Sequence, residues 1–90
     1  MKIVYLPSTK NDLIWFHHYY TQIFPEGSQK ALNKFDAIAE ILALNPFIGC
    51  KIKDEVRKLA IPKTPFSYIY QVTTVQIEIL RIWDDRKNNE

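Results

Sequence analysis

The hydrophobic period changes at Gly49, and that change limits what this chain can fold into. Before it, from Thr9 to Leu44, apolar residues recur at helical spacing. After it, from Val56 to Trp83, they alternate at a period of two. A helical half and a strand half must therefore bury their apolar faces against each other. The chain has 90 residues, which suits one domain spanning 1–90. A domain of this size buries only about 60–65% of its unfolded surface, so a functional site belongs on an open face or groove.

Lys2 to Leu6 is β-branched and aromatic and stops at Pro7, which predicts a short strand. Thr9 and Asp12 have the spacing of a capping box, opening a helix that runs to about Phe24. Leu13, Phe16, Tyr20, Ile23 and Phe24 share its apolar face, with His18 and Gln22 opposite. Pro25-Glu26-Gly27 breaks the chain, and Ser28 can cap a second helix to about Leu44. Ala31, Phe35, Ile38 and Leu42 form its stripe, and Asn45-Pro46 ends it. Strands follow at Val56–Ile61, Phe66–Thr73 and Val75–Trp83. The last is apolar on both faces near Leu80 and Ile82, as a central strand is. The expected fold is a two-layer α+β domain of order β-α-α-β-β-β. Its helical hairpin covers one face of a mostly antiparallel four-stranded sheet. Residues 84–90 read as a flexible polar tail.

Composition excludes several classes. Hydrophobic residues make up 47% of the chain, which argues against disorder. No apolar run approaches the roughly 18 residues of a membrane span, and the N-terminus lacks a signal-peptide core. Cys50 is the single cysteine, so no intrachain disulfide forms and the expected compartment is cytoplasmic. Lys and Arg exceed Asp and Glu by 12 to 10, too small an excess to imply nucleic-acid binding.

The residue types that carry chemistry are sparse. His17 and His18 point about 100° apart on a helix and cannot chelate one ion, so no metal site is expected. Asp84-Asp85 reads as a solvated turn, and Cys50 as a small semi-buried residue. Lys51, Lys53, Arg57, Lys58 and Lys63 are crowded into one stretch, and Arg81, Arg86 and Lys87 close the chain. In a meander these clusters can share one sheet face and hold phosphate or an acidic partner; the plainer reading is a mixed-charge surface. Tyr68 and Tyr70 share a face with Phe66 and Val72 and belong to the core rather than to a base-stacking platform. Trp15 lies off the apolar stripe of its helix, which marks it for a partner surface or for packing under the second helix.

Glu55 to Val72, reading EVRKLAIPKTPFSYIYQV, and Val75 to Lys87, reading VQIEILRIWDDRK, resemble the core of the RelE/ParE toxin superfamily. Asp12-Leu13, Asn45-Pro46 and Gly49 also match its pattern. The resemblance covers nearly the whole chain and implies the toxin of a bacterial type II toxin–antitoxin pair. Its partner would be a cognate antitoxin, with no small-molecule cofactor and no membrane. ParE-like members poison DNA gyrase; RelE-like members cut mRNA on the ribosome. The nuclease branch would use Arg57 and Arg86 on the scissile phosphate, helped by Lys58 and Lys53. However, Leu59 and Ser67 stand where that branch places further basic residues, and no His or Tyr follows Trp83. The resemblance therefore favours the ParE-like branch. It implies target binding through Arg57, Arg81, Arg86 and Lys87, and antitoxin binding that includes Trp15.

Overall fold

The computed structural model describes residues 1–23 and 25–87, except the side chains of Ile23, Ser28 and Lys87. Strand β1 (Lys2–Tyr5) leads through a 3-10 turn into helix α1 (Lys10–His18). A turn of π-helix (Tyr19–Ile23) and a 3-10 turn (Pro25–Gly27) connect it to helix α2 (Ser28–Leu44). Strands β2 (Cys50–Lys53), β3 (Val56–Ala60), β4 (Phe66–Val72) and β5 (Gln76–Asp84) complete the chain. The sheet has five strands in the order β1-β5-β4-β3-β2. Strands β2 to β5 form an antiparallel meander, while β1 pairs parallel with β5, Lys2 opposite Gln76 and Tyr5 opposite Ile79. The two-layer α+β class holds. The count of four strands does not, because β2 is an additional edge strand.

Strand β2 reads CKIK, and all four residues are exposed. It has no buried face and so no apolar alternation to detect. Its pairing with β3 is through the backbone, and its lysines discourage pairing with another chain on the outer edge. The two-faced apolar run of β5 has a local cause. The register slips between Ile69 and Tyr70, which pair with Arg81 and Ile79, leaving Leu80 as a bulge. The bulge resets the alternation, so Ile77, Ile79, Ile82 and Asp84 all turn inward.

The expected capping box at α1 does not form. Thr9 donates its hydroxyl to the Leu6 carbonyl at 2.7 Å and makes no cap bond. The Asp12 carboxylate reaches across to β5 instead. The α-helix also stops earlier than its pattern predicts. At Tyr19 it widens into the π turn, which brings both Tyr19 and Tyr20 to the core side. Leu13, expected in the stripe, is exposed, whereas Trp15, expected off it, is half-buried. The remaining members of that stripe, the Ile23 side chain and Phe24, lie outside the described residues. Helix α2 follows its pattern closely: Ala31, Phe35 and Leu42 are buried and Ile38 is partly so. Its N-cap is Gly27, with Ser28 as the first helical residue. The polar end is tied down further than a tail would be. Asp84 closes β5 and Asp85–Lys87 form a 3-10 turn; residues 88–90 lie outside the described residues.

The core is aromatic. Phe66, at the start of β4, is ringed by Trp15, Phe16, Tyr19, Tyr20 and Phe35, with centroids between 5.4 Å and 6.0 Å away. Tyr68 and Tyr70 are buried core residues, as their alternation with Phe66 implies. The Tyr68 hydroxyl donates to the Phe35 carbonyl at 3.2 Å, and the Tyr70 hydroxyl accepts from the Gly49 N–H at 2.8 Å. Burial pushes the pKa of Tyr20, Tyr68 and Tyr70 upward; for Tyr68 a hydrogen bond to Tyr5 adds to it.

Gly49 has no room for a side chain. A Cβ there would lie 2.7 Å from the Tyr70 hydroxyl and 2.8 Å from the Lys58 carbonyl. Gly49→Ala should destabilise the fold by about 1–3 kcal/mol, read from denaturant unfolding, with the loss traced to overpacking. The raised tyrosines give a pH dependence of known sign. Their folded pKa lies above the unfolded value of 10.0. The stability they contribute is therefore complete below about pH 10 and declines as pH rises further, because the unfolded chain ionises first. Thermal melts across pH 8 to 11 should be flat at first and then fall, and Tyr70→Phe should flatten the decline.

Candidate functional site

The two faces of the sheet differ. Tyr68, Tyr70, Ile79 and Ile82 turn toward the helices. The opposite face has no covering layer among the described residues. On it, Lys58 of β3, Ile69 of β4 and Arg81 of β5 are direct cross-strand neighbours, and Trp83 lies opposite Ser67. Together with Ile52 of β2 these residues line a groove of about 460 Å³. Its floor is apolar and its two charged members are both cations. Among the described residues the lining holds no imidazole, thiol or carboxylate. It offers apolar area for burial, with positive charge at either side.

Each cation near this face is held by a carboxylate from the end of β5 or from α1. Lys58 Nζ lies 2.7 Å from Asp85 Oδ1, and the Ser67 hydroxyl donates to the other carboxylate oxygen at 2.7 Å. Arg81 grips Asp12 with two bonds, Nε to Oδ2 at 2.7 Å and Nη2 to Oδ1 at 2.9 Å. The guanidinium also lies 5.6 Å from the Trp83 ring centre. Asp12 takes a third bond, from the Ile82 N–H at 3.0 Å. That N–H is on the edge of β5 beyond the end of β1, so Asp12 completes the ladder where no strand remains to do it. The hydrogen bonds to Asp12 raise the pKa of Arg81.

Arg86 forms a third such unit. Its guanidinium takes Asp84 in a fork, Nε to Oδ1 at 2.9 Å and Nη2 to Oδ2 at 2.8 Å. Its backbone N–H donates to the same carboxylate at 3.0 Å. It also donates to the Tyr19 hydroxyl at 3.2 Å and lies 4.6 Å from that ring's centre. The hydrogen bonds to Asp84 raise its pKa. Trp15 stacks on Tyr19 at 5.5 Å and meets Phe66 edge-on. Of its two expected placements, partner surface or packing, it takes the packed one, against Tyr19 and Phe66. Asp84 is 6% exposed, so the solvated turn expected at Asp84-Asp85 is instead a pair of partnered carboxylates. Cys50, expected to be semi-buried, is exposed on β2. His17 and His18 are both exposed.

The basic residues marked by the sequence are only partly brought together. Lys58 and Arg81 share the groove. Arg57 turns to the other face, opposite Tyr70, and donates to the carbonyls of Gly49 at 2.8 Å and Phe47 at 3.2 Å. The Phe47 ring centre lies 5.1 Å from its guanidinium carbon. Arg86 follows the end of β5 that pairs with Phe66. Arg57 and Arg86 thus stand at opposite ends of β4, about 13 Å apart along the strand. They do not converge on one phosphate. Lys53 is exposed on β2, and the Lys87 side chain lies outside the described residues. Ile52, Ile69 and Trp83 were not legible as site residues. For Ile69 and Trp83 the signal was their strand phase, opposite to that of Tyr68 and Ile82.

Among the described residues no helix is long and apolar enough to cross a membrane. Comparisons with known proteins by family and by structure agree. A family described as the ParE toxin of the type II toxin–antitoxin system parDE matches residues 3–89. A solved structure, the chromosomal ParDE toxin–antitoxin system from P. aeruginosa, contains a chain 29% identical to this one, with a TM-score of 0.71. The alignment covers 91% of this chain and 92% of that one. A search of curated protein sequences gives no match.

Asp12 should be costlier to remove than the cation it holds. Arg81 is half exposed, so its ion pair is worth at most about 1 kcal/mol, whereas an orphaned Ile82 N–H costs about 1–3 kcal/mol. Denaturant unfolding of Asp12→Ala should show a loss of about 2–3 kcal/mol, and of Arg81→Gln a loss below about 1 kcal/mol. Equal losses would mean that the edge of β5 does not depend on the carboxylate.

Proposed function

The chain belongs to the ParE toxin family of type II toxin–antitoxin systems, and from that premise we propose that it arrests growth by binding DNA gyrase and is neutralised by a cognate antitoxin. The make-up of the open groove carries this reading. Metal-free RNA cleavage needs a base for the 2′-hydroxyl, an acid for the leaving oxygen and clustered cations for the phosphate. Ile52, Lys58, Ile69, Arg81 and Trp83 offer no imidazole, carboxylate or phenol for this, and their one ammonium, Lys58, is ion-paired with Asp85. The two arginines that would grip the scissile phosphate, Arg57 and Arg86, lie at opposite ends of β4. What remains is a cationic, apolar recognition surface. In this reading Arg81 contacts the target from the groove and Arg86 and Lys87 extend that contact along the turn after β5, whereas Arg57, turned to the other face, would need a separate contact.

The antitoxin reading draws on a different surface. Ile14 of α1 and Leu44 of α2 are exposed to 60% and 83%, and Phe47 and Ile48, after α2, are exposed as well. Exposed apolar side chains in such number favour a partner that covers them. A flexible antitoxin segment ordering along the hairpin, with Trp15 at its margin, would do so.

Purified chain should inhibit gyrase supercoiling and trap cleaved DNA, and the product of the neighbouring small open reading frame should relieve the inhibition. Unimpaired supercoiling at micromolar protein, together with ribosome-dependent cleavage of mRNA, would overturn the assignment in favour of the nuclease branch.

A further inference from the structure

Four cations of the sheet and the turn after it have carboxylate partners: Lys51 with Glu55, Lys58 with Asp85, Arg81 with Asp12 and Arg86 with Asp84. A second cluster, away from the groove, does not. Lys30 and Lys34 of α2 and Lys63 of the turn between β3 and β4 line one depression of about 580 Å³. None of the three makes an ion pair or hydrogen bond among the described residues. The lining includes one carboxylate, Glu26, and one aromatic ring, Tyr20.

Two features bring this cluster together. Lys30 and Lys34 are one turn apart on α2 and so share a helix face, although like charges repel at that spacing. Lys63 has a left-handed backbone, with φ of 62°. The turn around it is fixed by Thr64, whose hydroxyl donates to the Ile61 carbonyl at 2.8 Å and accepts from the Phe66 N–H at 3.1 Å. Three lysines without an ion pair among the described residues, from two separate elements, thus line one depression, with Glu26 also in its lining.

We propose that this depression binds the phosphodiester backbone of duplex DNA, with Lys30, Lys34 and Lys63 as the counter-charges. Lysine meets a phosphate as a point charge without base selectivity. Among the described residues the depression provides no platform for an unstacked base, because the ring in its lining, Tyr20, is 4% exposed. Contact is therefore with the backbone of a duplex whose bases stay stacked, and it is independent of sequence. The inference does not depend on the identity of the toxin's protein target.

The test is binding of the purified full chain to a fluorescent duplex of about 20 base pairs, across a salt series of about 50 to 200 mM. Three phosphate contacts predict a slope of log K on log salt near −2.7. Lys34→Gln with Lys63→Gln should make the slope shallower by about 2, while Lys2→Gln with Lys10→Gln, removing equal charge elsewhere, should leave it unchanged. If the first double variant melts abnormally, Lys34→Gln alone should make the slope shallower by about 1. Equal effects in both double variants would reduce the binding to diffuse surface charge and overturn the proposal. So would tighter binding to a single strand than to the duplex. Displacement of the duplex by stoichiometric tripolyphosphate would also overturn it, pointing to a small phosphate ligand.

Discussion

One ring organises this domain. Phe66 enters the sheet at the first residue of β4 and is met there by rings from both helices and from the π turn between them. Tilted and edge-on aromatic pairs add about 0.5–1.5 kcal/mol each beyond the area they bury. Five such contacts on one side chain fix the distance and the angle of the helical layer over the sheet. In a domain with no disulfide and no large core, this cluster does what a covalent staple does in other small proteins. It also explains the π turn, since Tyr19 and Tyr20 both reach the cluster through it.

The same cluster connects the core to the charged surface. Tyr19 touches Phe66 on one side and the Arg86 guanidinium on the other. Asp84, buried at the end of β5, fixes that guanidinium from below. Asp12 does the equivalent for Arg81, and Asp85 for Lys58. The cations that border the open face are therefore held in defined positions. A partner meets them already ordered and loses less side-chain entropy on binding.

The sequence was informative where burial dictated pattern. The stripe of α2 and the alternation of Phe66, Tyr68 and Tyr70 were readable because each faces one side of a packed layer. It was silent where pattern and burial part company. Strand β2 buries nothing, so CKIK shows no period. Thr9 and Asp12 carry a local capping signal that is overridden by a partner far along the chain, at Arg81 and Ile82. Trp15 and Leu13 exchange their expected environments because α1 is short and its last turn widens. The basic clusters were read from proximity in sequence, yet alternation sends Arg57 and Lys58 to opposite faces of one strand. The groove was hidden for the same reason: its floor consists of residues in the phase opposite to the core.

The parallel pairing of β1 with β5 has a consequence for how the molecule comes into being. The first strand of the chain is completed by its last, and Lys2 waits for Gln76. Phe16, Tyr20 and Phe35 emerge from the ribosome long before Phe66 and Tyr68 arrive to cover them. Such non-local closure is slow, and it leaves apolar helical faces open in the meantime. The open groove likewise needs Arg81 and Trp83, which come after its other lining residues in the chain. A nascent chain of this kind carries its helices before it carries the open groove. Protein synthesis thereby provides an interval in which a companion already present can reach the helices first.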